Sequence, residues 1–366
     1  MIPITKIEID EEMRAHVLEV LDSGHIAQGP KVAEFEDRCS EMAGTRSAVA
    51  VNSGTAALVL ALRALEIGPG DEVITSPFTF AATLNAILET GATARFGDID
   101  YSYNLDMDTV DPLVGADTRA LLPVHLYGLA ADMDAAAMLA ERHGLALVED
   151  AAQAHFATTP GGDRVGSFGL GCFSFYATKN LMCGEGGVVT VNDPELEQRM
   201  RMLRNQGMLR RYEYEAPGYN LRLTDLAAAL AIPQFDQVES MISARQRNAA
   251  HLAMGLSDIP GLILPNRREH PGHVWHQYTV SLNSEAAIDR VALAAALDQQ
   301  SIGYGFYYPR AVYDYSCYRS HPGVVIDGSP RAEVAAANVI SIPVHHHLME
   351  AEVEQIVDVV RGAFGV

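Results

Sequence analysis

Between residues 45 and 200, short β-branched apolar runs alternate with stretches of helical patterning, beginning with Ser47-Ala48-Val49-Ala50-Val51 and the Ala/Leu-rich run after Gly54. Strands are predicted at 47–51, 72–75, 93–96, 120–124 and 145–148, and helices at 55–65, 81–89 and 133–143. This alternation predicts an α/β fold with a largely parallel sheet covered by helices. Gly68-Pro69-Gly70-Asp71, Glu89-Thr90-Gly91-Ala92 and His143-Gly144 punctuate it as helix-ending turns. After Pro233 the pattern changes to a long polar helix at 236–256, a strand at 277–282, and helices at 286–300 and 351–361. A large domain over 1–239, with an N-terminal helix at 11–21, and a smaller α+β domain over 240–366 are therefore expected.

With 48% hydrophobic residues in 366, the chain can build a substantial core. Its formal net charge of −21 argues against nucleic acid or an anionic membrane as partner, since either needs a clustered basic face. Cys39, Cys172, Cys183 and Cys317 are far apart, so neither a disulfide framework nor a zinc site is indicated. No stretch of eighteen apolar residues occurs, and the N-terminus lacks a basic region followed by an apolar one. These features predict a soluble, cytoplasmic protein.

Positive charge is supplied by 26 Lys and Arg residues, of which only Lys6, Lys31 and Lys179 are lysines. Lys6 sits in the N-terminal tail and Lys31 at a helix start, but Lys179 interrupts an aromatic and glycine-rich run. Lysine alone offers a primary amine able to form a Schiff base, and it reacts when burial or neighbours hold it partly unprotonated. Asn52-Ser53-Gly54-Thr55 lies where a strand hands over to a helix, a place suited to an anion or to a plain helix cap. Asp150 follows an apolar strand, at the carboxyl edge where open α/β sheets bind ligands. A lysine, a carboxylate and a phosphate cup together suit pyridoxal 5'-phosphate, whose ring nitrogen stays protonated against a carboxylate.

At this point the chain resembles a family. Asn52-Ser53-Gly54-Thr55, Gly68-Pro69-Gly70-Asp71-Glu72, Val124-His125-Leu126-Tyr127-Gly128, Glu149-Asp150-Ala151-Ala152-Gln153, Phe173-Ser174-Phe175 with Lys179-Asn180, and Gly184-Glu185-Gly186-Gly187 look like the DegT/DnrJ/EryC1/StrS sugar aminotransferases. The match runs in order over nearly the whole chain. It implies fold type I of the pyridoxal-phosphate enzymes, with a mostly parallel mixed sheet, and a homodimer with active sites at the subunit interface. It also implies transfer of an amino group from an amino acid, usually L-glutamate, to a keto sugar nucleotide. A 4-keto-6-deoxy hexose is the expected acceptor, with a 3-keto sugar or cyclitol ketone as the alternative; a sensor or scaffold without turnover fits the intact motifs poorly.

By resemblance, Lys179 is the Schiff-base lysine and proton shuttle, Asp150 holds the pyridinium, Gln153 sits beside the ring and Phe80 stacks on it. Ser53, Gly54, Thr55 and Ser174 bind phosphate, joined by Asn220 from the partner subunit. One departure is Gln206, where many relatives carry histidine. Residues 204–214 and 304–310 are candidates for diphosphate and sugar contacts. No metal site is expected, since His345-His346-His347 and His270-x-x-His273-x-x-His276 lack i, i+4 helical spacing. Gly166-x-x-Gly169-x-Gly171 is not a dinucleotide fingerprint in order or context.

Overall fold

The structure is a computed structural model that describes residues 1–265 and 272–366. Its main sheet contains β1 (Ser47–Val51), β2 (Glu72–Thr75), β3 (Thr93–Phe96), β4 (Thr118–Leu122), β5 (Ala146–Asp150), β6 (Leu170–Ser174) and β7 (Gly187–Val191). A hairpin, β8 (Met208–Arg210) and β9 (Glu213–Tyr214), follows, and then β10 (Leu262–Ile263), β11 (Tyr278–Leu282), β12 (Val324–Val325) and β13 (Val339–Ile342). The main sheet has the order β1-β7-β6-β5-β4-β2-β3-β12, and β7 alone runs against its neighbours. The mostly parallel mixed sheet implied by the sequence is present.

Helices cover the sheet where the chain is apolar on the matching face. Helix Gly54–Ala64 is buried almost all round, with Ala57, Leu60, Ala61 and Leu62 fully enclosed, because it is wedged between the sheet and its neighbouring helices. The antiparallel sheet β10-β11-β13 forms a second core with helices Gln234–Leu256, Arg290–Gln299 and Glu350–Phe364. The chain then returns to the main sheet: Val312 and Tyr313 lie in its core and β12 pairs with β3. No helix among the described residues is long and apolar enough to cross a membrane.

Boundaries differ from the sequence expectation where a polar residue or proline decides them. Strand β4 ends at Leu122 rather than 124, since Pro123 has no N–H for the ladder. Helix Arg290–Gln299 starts four residues later than 286, because Asp289 caps it through the Ala292 N–H at 2.8 Å.

Parallel pairing brings the ends of β4, β5 and β6 to one edge of the sheet, and β1, antiparallel to β7 as β6 is, ends at the same edge. Ser53, Val124, Asp150 and Ser174 lie there, and Lys179 lies in the β6–β7 connection at the same edge. The arrangement is the general one for open α/β sheets, whose ligands sit beyond the carboxyl ends of the strands.

Candidate active site

At that edge opens a cavity of about 530 Å³, lined on one side by Ser53, Gly54, Thr55 and Ser174 and on another by Asp150, Gln153 and Lys179. Ser53 occupies the N-cap of helix Gly54–Ala64, its hydroxyl accepting the Ala56 N–H at 3.1 Å. The hydroxyl proton of Ser53 remains available to a ligand. Gly54 allows a close approach, since a Cβ there would stand 2.6 Å from the Ser174 Cβ. The free N–H groups of this helix start and the hydroxyls of Thr55 and Ser174 make one end of the cavity suitable for a phosphate.

Asp150 closes β5 and is only 5% exposed. Its Oδ2 accepts the Thr83 hydroxyl at 2.7 Å and its Oδ1 the Ala152 N–H at 3.2 Å. Burial pushes its carboxyl above the ordinary value, while Thr83, Ala152 and then the charges of Lys179 and His125 pull it back. Gln153 is fixed at both ends, its Oε1 accepting the Tyr127 N–H at 2.7 Å and its amide donating to the Tyr308 hydroxyl at 3.0 Å.

Lys179 borders the cavity and so keeps some contact with solvent, but the protein around it desolvates the amine. Burial brings it from 10.5 down to about 8, with Asp150 acting in the opposite direction. His155 and His276 are both held below the ordinary imidazole value by burial and then by Lys179, so neither adds positive charge beside the amine. Among the described residues no side chain hydrogen-bonds the Lys179 ammonium. Lys6 and Lys31, by contrast, form ordinary ion pairs with Glu8 at 2.5 Å and Glu19 at 3.0 Å. An amine without an acceptor, a buried carboxylate and a phosphate-ready helix start fit pyridoxal phosphate in donor set and in size.

Phe80 precedes helix Ala81–Thr90 and leaves 61% of its surface exposed along the cavity, where its ring lies 6.0 Å from that of Tyr308. Asn220 does not reach the cavity of its own chain; it is exposed and pairs through its backbone with Asn205. Of residues 304–310, Tyr307 and Tyr308 line the cavity, whereas the Tyr304 hydroxyl turns to Asp298 at 3.0 Å. Arg204 is likewise committed elsewhere, bonding Glu36 at 2.6 Å and the Ala50 carbonyl at 2.8 Å beneath the sheet. Gln206 takes a left-handed φ of 64° at the start of the hairpin segment.

The glycine run 166–171 wraps a carboxylate of the protein itself. Glu149, wholly buried, accepts the N–H groups of Gly166 at 2.8 Å and Phe168 at 2.9 Å, and the His125 Nε2–H at 3.1 Å. A Cβ at Gly169 would stand 2.0 Å from the Leu147 carbonyl oxygen, so only glycine fits. This clamp joins β5 to the loop before β6 directly behind Asp150. Among the histidines singled out, His276 lines the cavity with its Nδ1 3.1 Å from Asn180, and His273 stacks on Trp275 at 3.9 Å. His345 and His347 contact Pro3 and Glu8 of the N-terminal segment, at 3.2 and 3.4 Å, and His270 lies outside the described residues. Tyr308 falls within the 304–310 segment expected at the sugar, and His276 is weighed in the sequence only as a metal ligand; of Thr83, Tyr308 and His276, Thr83 alone is unassigned there, where only the four-residue spacing of Thr79 and Thr83 around Phe80 could have pointed to it.

The chain is similar to known proteins over nearly its whole length. The model of the DegT/DnrJ/EryC1/StrS aminotransferase family matches residues 7–361. The dTDP-3-amino-3,4,6-trideoxy-alpha-D-glucose transaminase of Streptomyces venezuelae is 41% identical over 97% of this chain and 92% of its own. The UDP-N-acetyl-3-dehydro-alpha-D-glucosamine 3-aminotransferase of Acidithiobacillus ferrooxidans is 38% identical over 96% and 93%. The crystal structure of S. venezuelae DesV in complex with a ketimine intermediate superposes with a TM-score of 0.92 at 40% identity, covering 100% of this chain and 99% of that one. The chain therefore belongs to the DegT/DnrJ/EryC1/StrS aminotransferase family and is a pyridoxal-phosphate-dependent aminotransferase.

Proposed function

We propose that this aminotransferase moves nitrogen from an amino acid, L-glutamate in the first instance, to a ketone on a nucleotide-linked hexose. The observation that carries the reading is the meeting of Lys179, Asp150 and the N-terminus of helix Gly54–Ala64 around one cavity of about 530 Å³. Pyridoxal phosphate supplies the electron sink that makes the C–H bond beside the nitrogen acidic. Lys179 carries the proton, its Nζ taking it from the donor carbon in one half of the cycle and returning it to the sugar carbon in the other. Asp150 holds the proton on the ring nitrogen. Gln153 and Phe80 fix the plane of the ring, and Ser53, Gly54, Thr55 and Ser174 anchor its phosphate.

A homodimer completes the site in this reading, with the partner subunit's Asn220 reaching the phosphate. The exposure of Asn220 outside its own cavity supports that placement. We place the division between the large and small domains near residue 240, within helix Gln234–Leu256. The four unpaired thiols, three of them buried, fit a reducing, cytoplasmic setting.

The ketone position favoured is C3, ahead of the C4 expected from resemblance, because the two relatives described above carry the number 3 in their names. Turnover of L-glutamate with matched 3-keto and 4-keto nucleotide hexoses, followed by release of 2-oxoglutarate, tests this. The 3-keto sugars are expected to lead by on the order of tenfold in kcat/KM. Reversed rates return the assignment to C4, equal rates remove the preference for C3, and no turnover with any keto sugar ends the reading.

The depressed lysine gives a pH dependence. Reloading of the unloaded protein with pyridoxal phosphate is expected to accelerate with pH around a midpoint near about 8, because only the neutral amine attacks a carbonyl. A stopped-flow absorbance series from pH 6 to 11 measures it. A midpoint at the ordinary 10.5 would show an amine in bulk-like water.

A further inference from the structure

Thr83 is fully buried, and its hydroxyl donates to Asp150 Oδ2 at 2.7 Å. The same oxygen lies 2.7 Å from the Thr79 hydroxyl. An ionised carboxylate only accepts, so Thr83 donates to Asp150 and Thr79 donates to Thr83. The hydrogens run one way, and each polarised donor strengthens the next. With Oδ1 held by the Ala152 N–H, the two oxygens are gripped by two separate elements, the first turn of helix Ala81–Thr90 and the turn after β5.

The same short turn presents Phe80. The Thr83 N–H bonds the Phe80 carbonyl at 3.2 Å, so the exposed ring and the gripping hydroxyl are set by one piece of backbone. A threonine that merely satisfies itself looks different. Thr90, at the other end of this helix, donates to the Ile87 carbonyl of its own last turn at 2.6 Å. The Thr83 hydroxyl instead leaves its helix for a carboxylate 67 residues away.

We propose that Thr83, backed by Thr79, is a positioning residue that keeps Asp150 ionised and aimed at the ring nitrogen of the cofactor. This rests on the reading of Asp150 as the partner of that nitrogen. The other titratable groups facing the carboxylate are Lys179, His125, Cys172 and Tyr308, and none of them hydrogen-bonds it among the described residues. The Thr79–Thr83 relay is therefore the side-chain donor that offsets its desolvation.

The test titrates the unloaded full-length protein with pyridoxal phosphate from pH 4 to 9. Thr83→Val is expected to weaken cofactor binding about tenfold, the loss expected for one charge-assisted hydrogen bond. The acid limb of the binding profile is expected to move up by as much as about one pH unit, because the variant carboxyl protonates more readily. Thr83→Ser is expected to stay within about twofold of the parent protein, and Thr90→Val to leave affinity and acid limb unchanged. Thr79→Val is expected to shift both in the same direction by less, and it keeps the test alive if Thr83→Val does not fold. Unmoved affinity and acid limb in the threonine variants overturn the proposal, and so does a loss of affinity that serine fails to restore. Asp150→Asn run alongside separates the two readings: normal binding and turnover there would remove the assignment of Asp150 itself.

Discussion

Replacing Lys179 with alanine is expected to lower turnover by about four orders of magnitude or more and leave the protein folded. The magnitude follows from the two tasks lost together: the nitrogen that attaches the cofactor and the base that moves the substrate proton. Lys179→Arg is expected to be as inactive, since a guanidinium does not deprotonate in a protein and cannot carry the proton. Stability should not suffer. The folded-state value near about 8 lies below the ordinary 10.5, so the fold disfavours the charged amine. That penalty is present in full below about pH 8 and disappears as pH rises through 10.5, so removing the amine relieves the unloaded protein at neutral pH. Borohydride treatment followed by peptide mapping supplies the direct readout. The parent protein should retain the cofactor's mass on the peptide containing Lys179, and the variant on no peptide. Label at Lys6 or Lys31, or more than about one per cent of turnover in the variant, would place the chemistry elsewhere.

Much of this was legible in the sequence, for reasons that differ between elements. The parallel strands β1 to β5 and helix Met133–His143 were readable because each buries an unbroken apolar run or one regular face. Lys179 stood out because the protein uses arginine for ordinary charge, and the structure gives Lys6 and Lys31 the surface ion pairs that explain them. β6 and β7 were obscured by glycines that answer to tertiary crowding: a Cβ at Gly171 would meet the Gly166 Cα at 2.4 Å, and one at Gly187 the Ser53 carbonyl oxygen at 2.2 Å. Local propensity disfavours glycine in strands, so the packing that demands it is invisible one residue at a time. Tyr308 and His276 come from segments more than 90 residues beyond Lys179 in sequence, and only the folded chain brings them to its cavity. Tertiary context also settled the glycine run 166–171, whose purpose is to hold Glu149.

Asp150→Asn is expected to cut kcat roughly 10²- to 10³-fold, the loss typical of one preorganised electrostatic contact in a water-poor site, and to make the unloaded protein more heat-stable at pH 7. The opposite signs are the useful part. Asparagine keeps the shape, the Ala152 N–H contact and a partner for the Thr83 hydroxyl, but brings no charge into a site that is only 5% exposed. Because burial holds the folded-state carboxyl above its ordinary 3.8, the ionised form opposes folding. That opposition is absent below about pH 3.8 and grows as pH rises through the folded-state value, so the gain in melting temperature should vanish in acid. A purely local role for Asp150, holding the turn through Ala152, predicts the reverse pattern: near-normal turnover and a loss of stability of about 1 kcal/mol, as for a missing helix cap. Melting curves of the unloaded variant at pH 3.5 and 7, together with steady-state rates of the loaded one, decide between them. A carboxylate that costs the fold stability and returns it as turnover belongs to the chemistry, and one that stabilises the fold with no effect on rate belongs to the turn.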